Sequence, residues 1–191
     1  RIRMLTERFS QAITLAIEAH TNQKRKGTEI PYISHPLGVA SIALEYGADE
    51  DQAMAALLHD AIEDGGQEYA QRIRLQFGDR VANIVEGCTD GVPNANGEKE
   101  AWKPRKERYL DHLKHASQDV LLVSGSDKLH NARAIVDDLV RIGPAVFDRF
   151  TASQEQTLWY YDSLSKIFTE RKMPISKALM DTVYRMKILA N

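Results

Sequence analysis

Apolar residues recur along this chain at intervals of three and four. Phe9, Ala12, Ile13, Ala16, Ile17 and Ala19 make the first such stripe, the signature of an amphipathic helix. Val39, Ile42, Ala43 and Tyr46 continue the pattern from Pro36, which suits a first helical turn, and Gly47 stops it. Asp49 can cap a helix over 50–63. The same spacing predicts helices over 67–77, 79–88, 105–117, 118–142, 146–171 and 175–189, with Gly78 and Gly143 as stops. No segment alternates with period two, so the expected fold is all-α, a single helical domain over 1–191. Two stretches fall outside the pattern, "NQKRKGTEIPYIS" (22–34) and "TDGVPNANGEKEAWKP" (89–104). The second is long enough to be functional or mobile.

One predicted helix carries a contradiction. "AALLHDAIED" (55–64) begins as a buried helix and runs directly into His59, Asp60, Glu63 and Asp64. Burying several such groups uncompensated costs several kcal/mol each. A divalent cation resolves the conflict. Residues four apart share a helix face, so His59 lies under Glu63 and Asp60 under Asp64. His59 and Asp60 can ligate, and Glu63 and Asp64, one turn on, can reach a water beside the cation. Two other segments offer partners. "PYISHP" sets His35 at a rigid loop-to-helix junction, and "LLVSGSDKLHNAR" sets Asp127 after an apolar run with Asn131 one turn later. The candidate ligands are therefore His35, His59, Asp60 and Asp127, a mixed nitrogen and oxygen set suited to Mn²⁺ or Fe²⁺. A buried ion-pair network without metal is the alternative.

Composition narrows the partners. The net charge is −2, so no global basic field draws the chain to nucleic acid or anionic membrane. No apolar run reaches membrane-spanning length, and 1–11 lacks a signal-peptide core. Cys88 is the single cysteine and has no internal partner, which suits a reducing cytoplasm. Nothing in the sequence fixes an oligomeric state. An anionic substrate would need local cations. Lys24, Arg25 and Lys26 supply them on the first loop, and Lys103, Arg105, Lys106 and Arg108 follow Trp102 on the second.

"RKGTEIPYISHPLGVASIALEYG", "AALLHDAIEDG" and "SDKLHNAR" resemble the signature segments of HD-domain hydrolases of the Rel/Spo type, in particular the small stand-alone alarmone hydrolases that include metazoan Spo homologues. The resemblance runs from about residue 5 to residue 168. It implies a helical HD-domain bundle with a central Mn²⁺ held by His35, His59, Asp60 and Asp127. It implies that Glu63 and Asp64 are the catalytic pair, that Arg25 and Lys26 meet the nucleotide, and that Asn131 hydrogen-bonds ribose or phosphate. Lys103 and Arg105 are further candidates for the substrate. The implied reaction removes the 3′-pyrophosphate of the alarmone (p)ppGpp. Nothing near Asn191 resembles the synthetase domain of the larger relatives. Ser126 stands where relatives often have alanine, and "DAIED" where they have "DTVED". The 89–104 loop departs most, which leaves the adenine counterpart (p)ppApp open as a substrate. The alternatives are another HD-type phosphohydrolase, acting on a nucleotide or NADPH, and a non-catalytic alarmone sensor. His20 is read as supporting a ligand by a hydrogen bond rather than ligating, and His130 as either a packing residue or a support for a ligand rather than a fifth ligand. Of Trp159, Tyr160 and Tyr161, at least two are read as core.

Overall fold

Six successive residues, Ala53 to Leu58, have no exposed surface. A helix that is apolar on every side must be wrapped on every side. In the structure, a computed structural model that describes residues 4–191, this helix is α3 (Glu50–Leu58). Around it pack α1 (Glu7–Ala19), α2 (Ser34–Glu45), α6 (Asp79–Cys88) and α8 (Gln118–Ile142). Each fully buried leucine, Leu57 and Leu58 among them, contributes about 1.5–3 kcal/mol relative to exposure. The remaining elements are α4 (Ala61–Gly65), α5 (Glu68–Phe77), α7 (Trp102–Leu113), a 3-10 segment (Gly143–Arg149), α9 (Gln154–Glu170) and α10 (Ser176–Ala190). The fold is all-α, as expected: among the described residues there is no strand, only one β-bridge between Lys24 and Pro31.

Local chemistry starts most of these helices. The Thr6, Ser117 and Ser153 hydroxyls accept from backbone N–H groups in the first turns of α1, α8 and α9. Asp49 and Gln52 form a reciprocal capping box on α3, with bonds of 2.9 and 2.8 Å. At 25 residues, α8 is the longest element and spans roughly 37 Å. It bears against α2, α3, α6, α9 and α10. Gly125 lets the last two close in, since a Cβ there would stand 2.9 Å from Ile175 and 3.2 Å from Phe168.

Several boundaries differ from the pattern in the sequence; the helix expected to run to 117, for one, ends at Leu113. The helix expected over 50–63 breaks at His59–Asp60, where Asp60 adopts φ −100° and ψ 0°, and resumes as α4. The helix expected from 105 starts at Trp102, because Pro104 sits in the first turn, where its missing N–H costs nothing. The helix expected over 146–171 divides into the 3-10 segment and α9, the latter started by a second capping box, Ser153 with Gln156.

Candidate metal and active site

The break in α3 is where the site begins. It places His59 and Asp60 between α3 and α4, facing His35 in the first turn of α2 and Asp127 in the middle of α8. His35, His59 and Asp127 are buried, and their donor atoms all lie within 4.8 Å of one another. His35 Nε2 stands 2.9 Å from Asp127 Oδ1, and His59 Nε2 stands 3.3 Å from the same oxygen. Asp60 Oδ2 adds a second carboxylate, 3.0 Å from His59 Nε2 and 3.7 Å from His35 Nε2. The four predicted ligands thus converge.

The hydrogen bonds behind them test whether a cation fits. His59 Nδ1 lies 2.7 Å from the Ala56 carbonyl, which only accepts, so Nδ1 carries the proton. Nε2 is then a lone pair. It is fully buried, has no hydrogen-bond partner, and faces two carboxylates. A divalent cation is the group that satisfies such a nitrogen and both carboxylates at once, and a set of two histidines and two aspartates suits a borderline to hard ion. Without one, a proton must serve. Burial opposes charge on His59, yet Asp60 and Asp127 raise its pKa well above the usual range. His35 goes the other way, lowered chiefly by burial. Burial also opposes ionisation of Asp127, but Lys128 and His59 overcome it and hold the carboxyl well below the usual range.

The residues around the ligands are tied in turn. Tyr32 donates to Asp60 Oδ2 at 2.5 Å, Lys128 Nζ lies 3.0 Å from Asp127 Oδ2, and Asn131 donates to Asp127 Oδ1 at 3.2 Å. Glu63 and Asp64 are held from opposite sides. Glu63 Oε1 accepts from the backbone N–H groups of Asp90 (2.6 Å) and Gly91 (3.3 Å), with Lys99 at 3.6 Å. Asp64 Oδ2 accepts from Gln23, which in turn accepts from His20. Burial and the nearby Asp60 charge raise the pKa of both carboxyls.

A cavity of about 640 Å³ opens beside Asp60, Glu63, Asp64 and Asp127. Lys26, Arg105, Lys106, Lys128 and Asn131 bring cations and a polar amide to its wall, and Trp102, Phe150, Tyr160 and Tyr161 bring aromatic surface. Of the expected substrate residues, Lys26, Arg105 and Asn131 face this cavity, whereas Arg25 and Lys103 do not. The Arg25 guanidinium instead meets His130 and donates to Asn131 Oδ1 at 3.2 Å. Lys103 lies over the Trp159 ring, 3.7 Å from its centre. Tyr160 and Tyr161 are buried and still reach the cavity. Sequence reasoning passed over Tyr32, Lys128 and Asp90. The first two lie inside quoted motifs. Asp90 is nearly buried and pairs with both Arg105 (3.2 Å) and Lys106. Its only signal was an acidic residue opening the second loop.

The HD-domain family profile matches residues 12–156. The chain belongs to the HD-domain family. Within that family it is 42 % identical over 137 residues to the Xenopus tropicalis protein named guanosine-3′,5′-bis(diphosphate) 3′-pyrophosphohydrolase MESH1, covering 70 % of each chain. The Aquifex aeolicus guanosine-3′,5′-bis(diphosphate) 3′-pyrophosphohydrolase is 38 % identical over 131 residues, which are 68 % of this chain but only 18 % of that one. Among solved structures, lmo0812 of Listeria monocytogenes superposes with a TM-score of 0.69 at 27 % identity, covering 80 % of this chain and 99 % of its own. A metazoan SpoT orthologue described as hydrolysing ppGpp superposes at 0.75 with 23 % identity, covering 96 % and 97 %, and so shares the HD-domain fold. No helix among the described residues is long and apolar enough to cross a membrane.

Proposed function

We propose that this HD-domain protein is a Mn²⁺-dependent 3′-pyrophosphohydrolase of (p)ppGpp, yielding GDP or GTP and pyrophosphate. The observation that carries it is the partnerless His59 Nε2 among two carboxylates, beside a cavity walled by Lys26, Arg105, Lys106 and Lys128. The names of the MESH1 relatives support the same reaction. His35, His59, Asp60 and Asp127 would hold the cation, which when bound polarises the phosphoryl group and makes water more acidic. Glu63, fixed by the Asp90 and Gly91 amides, takes the proton of the attacking water, and Asp64 orients that water. The water oxygen bonds to the phosphorus on the ribose 3′ oxygen, that P–O bond breaks in line, and the 3′ oxygen leaves to be protonated. Lys26, Arg105 and Lys106 neutralise the pyrophosphate, and Asn131 bonds the ribose or phosphate. Trp102 and Phe150 offer flat apolar surface to the base. Stacking of that kind accepts any purine, so (p)ppApp is cleaved as well.

Incubation of Mn²⁺-loaded protein with ppGpp, with products separated by anion exchange, tests the reading. Equal amounts of GDP and pyrophosphate are expected. Release of orthophosphate, or intact ppGpp that stays bound, would transfer the site to a different phosphohydrolase or to a sensor. Competition between ppGpp and ppApp at equal concentration tests the base. A preference beyond about a hundredfold, or 2.7 kcal/mol, would mean that base edges are read rather than faces.

A further inference from the structure

We infer that His130 is a positioning residue for the metal site. It fixes His35 in the tautomer that turns Nε2 toward the cation, and Gly38 provides the space in which it does so. The inference rests on the metal reading above.

His35 Nδ1 and His130 Nδ1 are 2.7 Å apart, a distance at which one proton must lie between the two nitrogens. Arg25 decides which ring carries it. Its Nη1 lies 3.5 Å from the same His130 Nδ1, and a guanidinium only donates. His130 Nδ1 therefore faces donors on both sides and is the acceptor. The proton belongs to His35 Nδ1, so with the cation bound His35 Nε2 would offer its lone pair to the ion in place of the 2.9 Å hydrogen bond that links it here to Asp127 Oδ1. That is the form a histidine must take to ligate through Nε2. Holding the other ring nitrogen by a hydrogen bond is how a metal-binding imidazole is kept in orientation.

The backbone is shaped for this contact. A Cβ on Gly38 would stand 2.2 Å from His130 Nε2 and 2.4 Å from Cδ2, so the ring occupies the space a side chain would take. Gly38 lies one turn after His35 on α2, while His130 comes from α8. The glycine thus lets the His130 ring lie against α2 and reach the far nitrogen of His35. Asn131 completes a parallel arrangement on the second ligand. It accepts from Arg25 at 3.2 Å and donates to Asp127 Oδ1 at 3.2 Å. Arg25 therefore stands behind two ligands rather than in the cavity.

Equilibrium binding of Mn²⁺ alone to metal-free protein reads the site without any reaction. His130→Phe keeps a ring and removes the acceptor, and should weaken Mn²⁺ binding by roughly 10- to 100-fold. His130→Asn restores an acceptor near the Nδ1 position and should recover most of the affinity. Gly38→Ala leaves His130 in the chain but takes its space, and should weaken binding as His130→Phe does; it serves as the test if that variant does not fold. Phe and Ala variants that bind Mn²⁺ within about twofold of the unaltered protein would overturn the inference. So would an Asn variant no tighter than the Phe variant, which would reduce the contact to packing. An unaltered protein that binds no Mn²⁺ overturns the metal reading and this inference with it. An unaltered protein that binds while His130→Phe binds equally overturns the role of His130 alone.

Discussion

Glu63 is set by two peptide N–H groups, and peptide groups survive side-chain replacement. Glu63→Gln should therefore leave fold and metal content intact while turnover falls by about two powers of ten or more. Metal analysis beside kcat checks this, and parallel loss of both would make Glu63 a ligand. Asp90 joins the proposed base to the basic wall of the cavity, since its amide holds Glu63 while its carboxylate holds Arg105 and Lys106. Asp90→Ala keeps the amide and loses the carboxylate, so KM should rise by roughly tenfold, the scale of one charged hydrogen bond, with a smaller change in kcat. That His35, His59, Asp60 and Asp127 converge was legible in the sequence because charge at the end of an apolar helix is a contradiction that few arrangements resolve. The facing of the basic run was not. Near the Lys24–Pro31 bridge the chain is extended, and side chains alternate. Lys24 and Lys26 therefore line the cavity while Arg25 turns to His130. Nothing in "KRK" announces a period of two.

At the scale of elements, the stripes gave helix type throughout and most ends to within a residue or two. What they missed has local causes. Periodicity cannot register a two-residue interruption such as His59–Asp60, because the apolar face resumes in step with Ala61 and Ile62. Proline at 104 reads as a stop, although in a first turn it is harmless. Tertiary clamps are invisible to such a reading. Arg80 on α6 bonds the α3 cap Asp49 at 2.8 Å and both carboxylate oxygens of Asp119, in the first turn of α8, at 3.2 Å. These groups are partly open to solvent, so Arg80→Ala should cost only about 0.5–1 kcal/mol. Arg80, aided by Gln52, lowers the pKa of Asp119 against the effect of burial. Its contribution is thus complete above the unfolded aspartate value near pH 4 and is lost as pH falls through the folded value. Acid unfolding of Arg80→Ala should accordingly show a smaller loss of stability below about pH 4 than the unaltered protein, whereas equal losses would remove Arg80 from this account.

Over the whole molecule, one hydrophobic core runs from α1 to α10, and the candidate ligands sit at its centre rather than at an edge. An ion bound there favours the folded chain. At a metal concentration about a thousandfold above Kd this amounts to about 4 kcal/mol, so chelation should lower Tm by roughly 8–16 °C. Asp127→Ala should melt at one temperature with or without Mn²⁺, and a Tm that still responds to the metal would place the ion elsewhere. The candidate ligands arrive from residues 35, 59–60 and 127, on α2, the α3–α4 junction and α8. Such distant segments meet only after most of the chain is in place, so the ion has little to hold until folding is nearly over. Its stabilisation then falls on the way out rather than the way in. Mn²⁺ should slow unfolding in denaturant by a large factor and leave the refolding rate almost unchanged, which makes the ion a setting on how long each native molecule lasts.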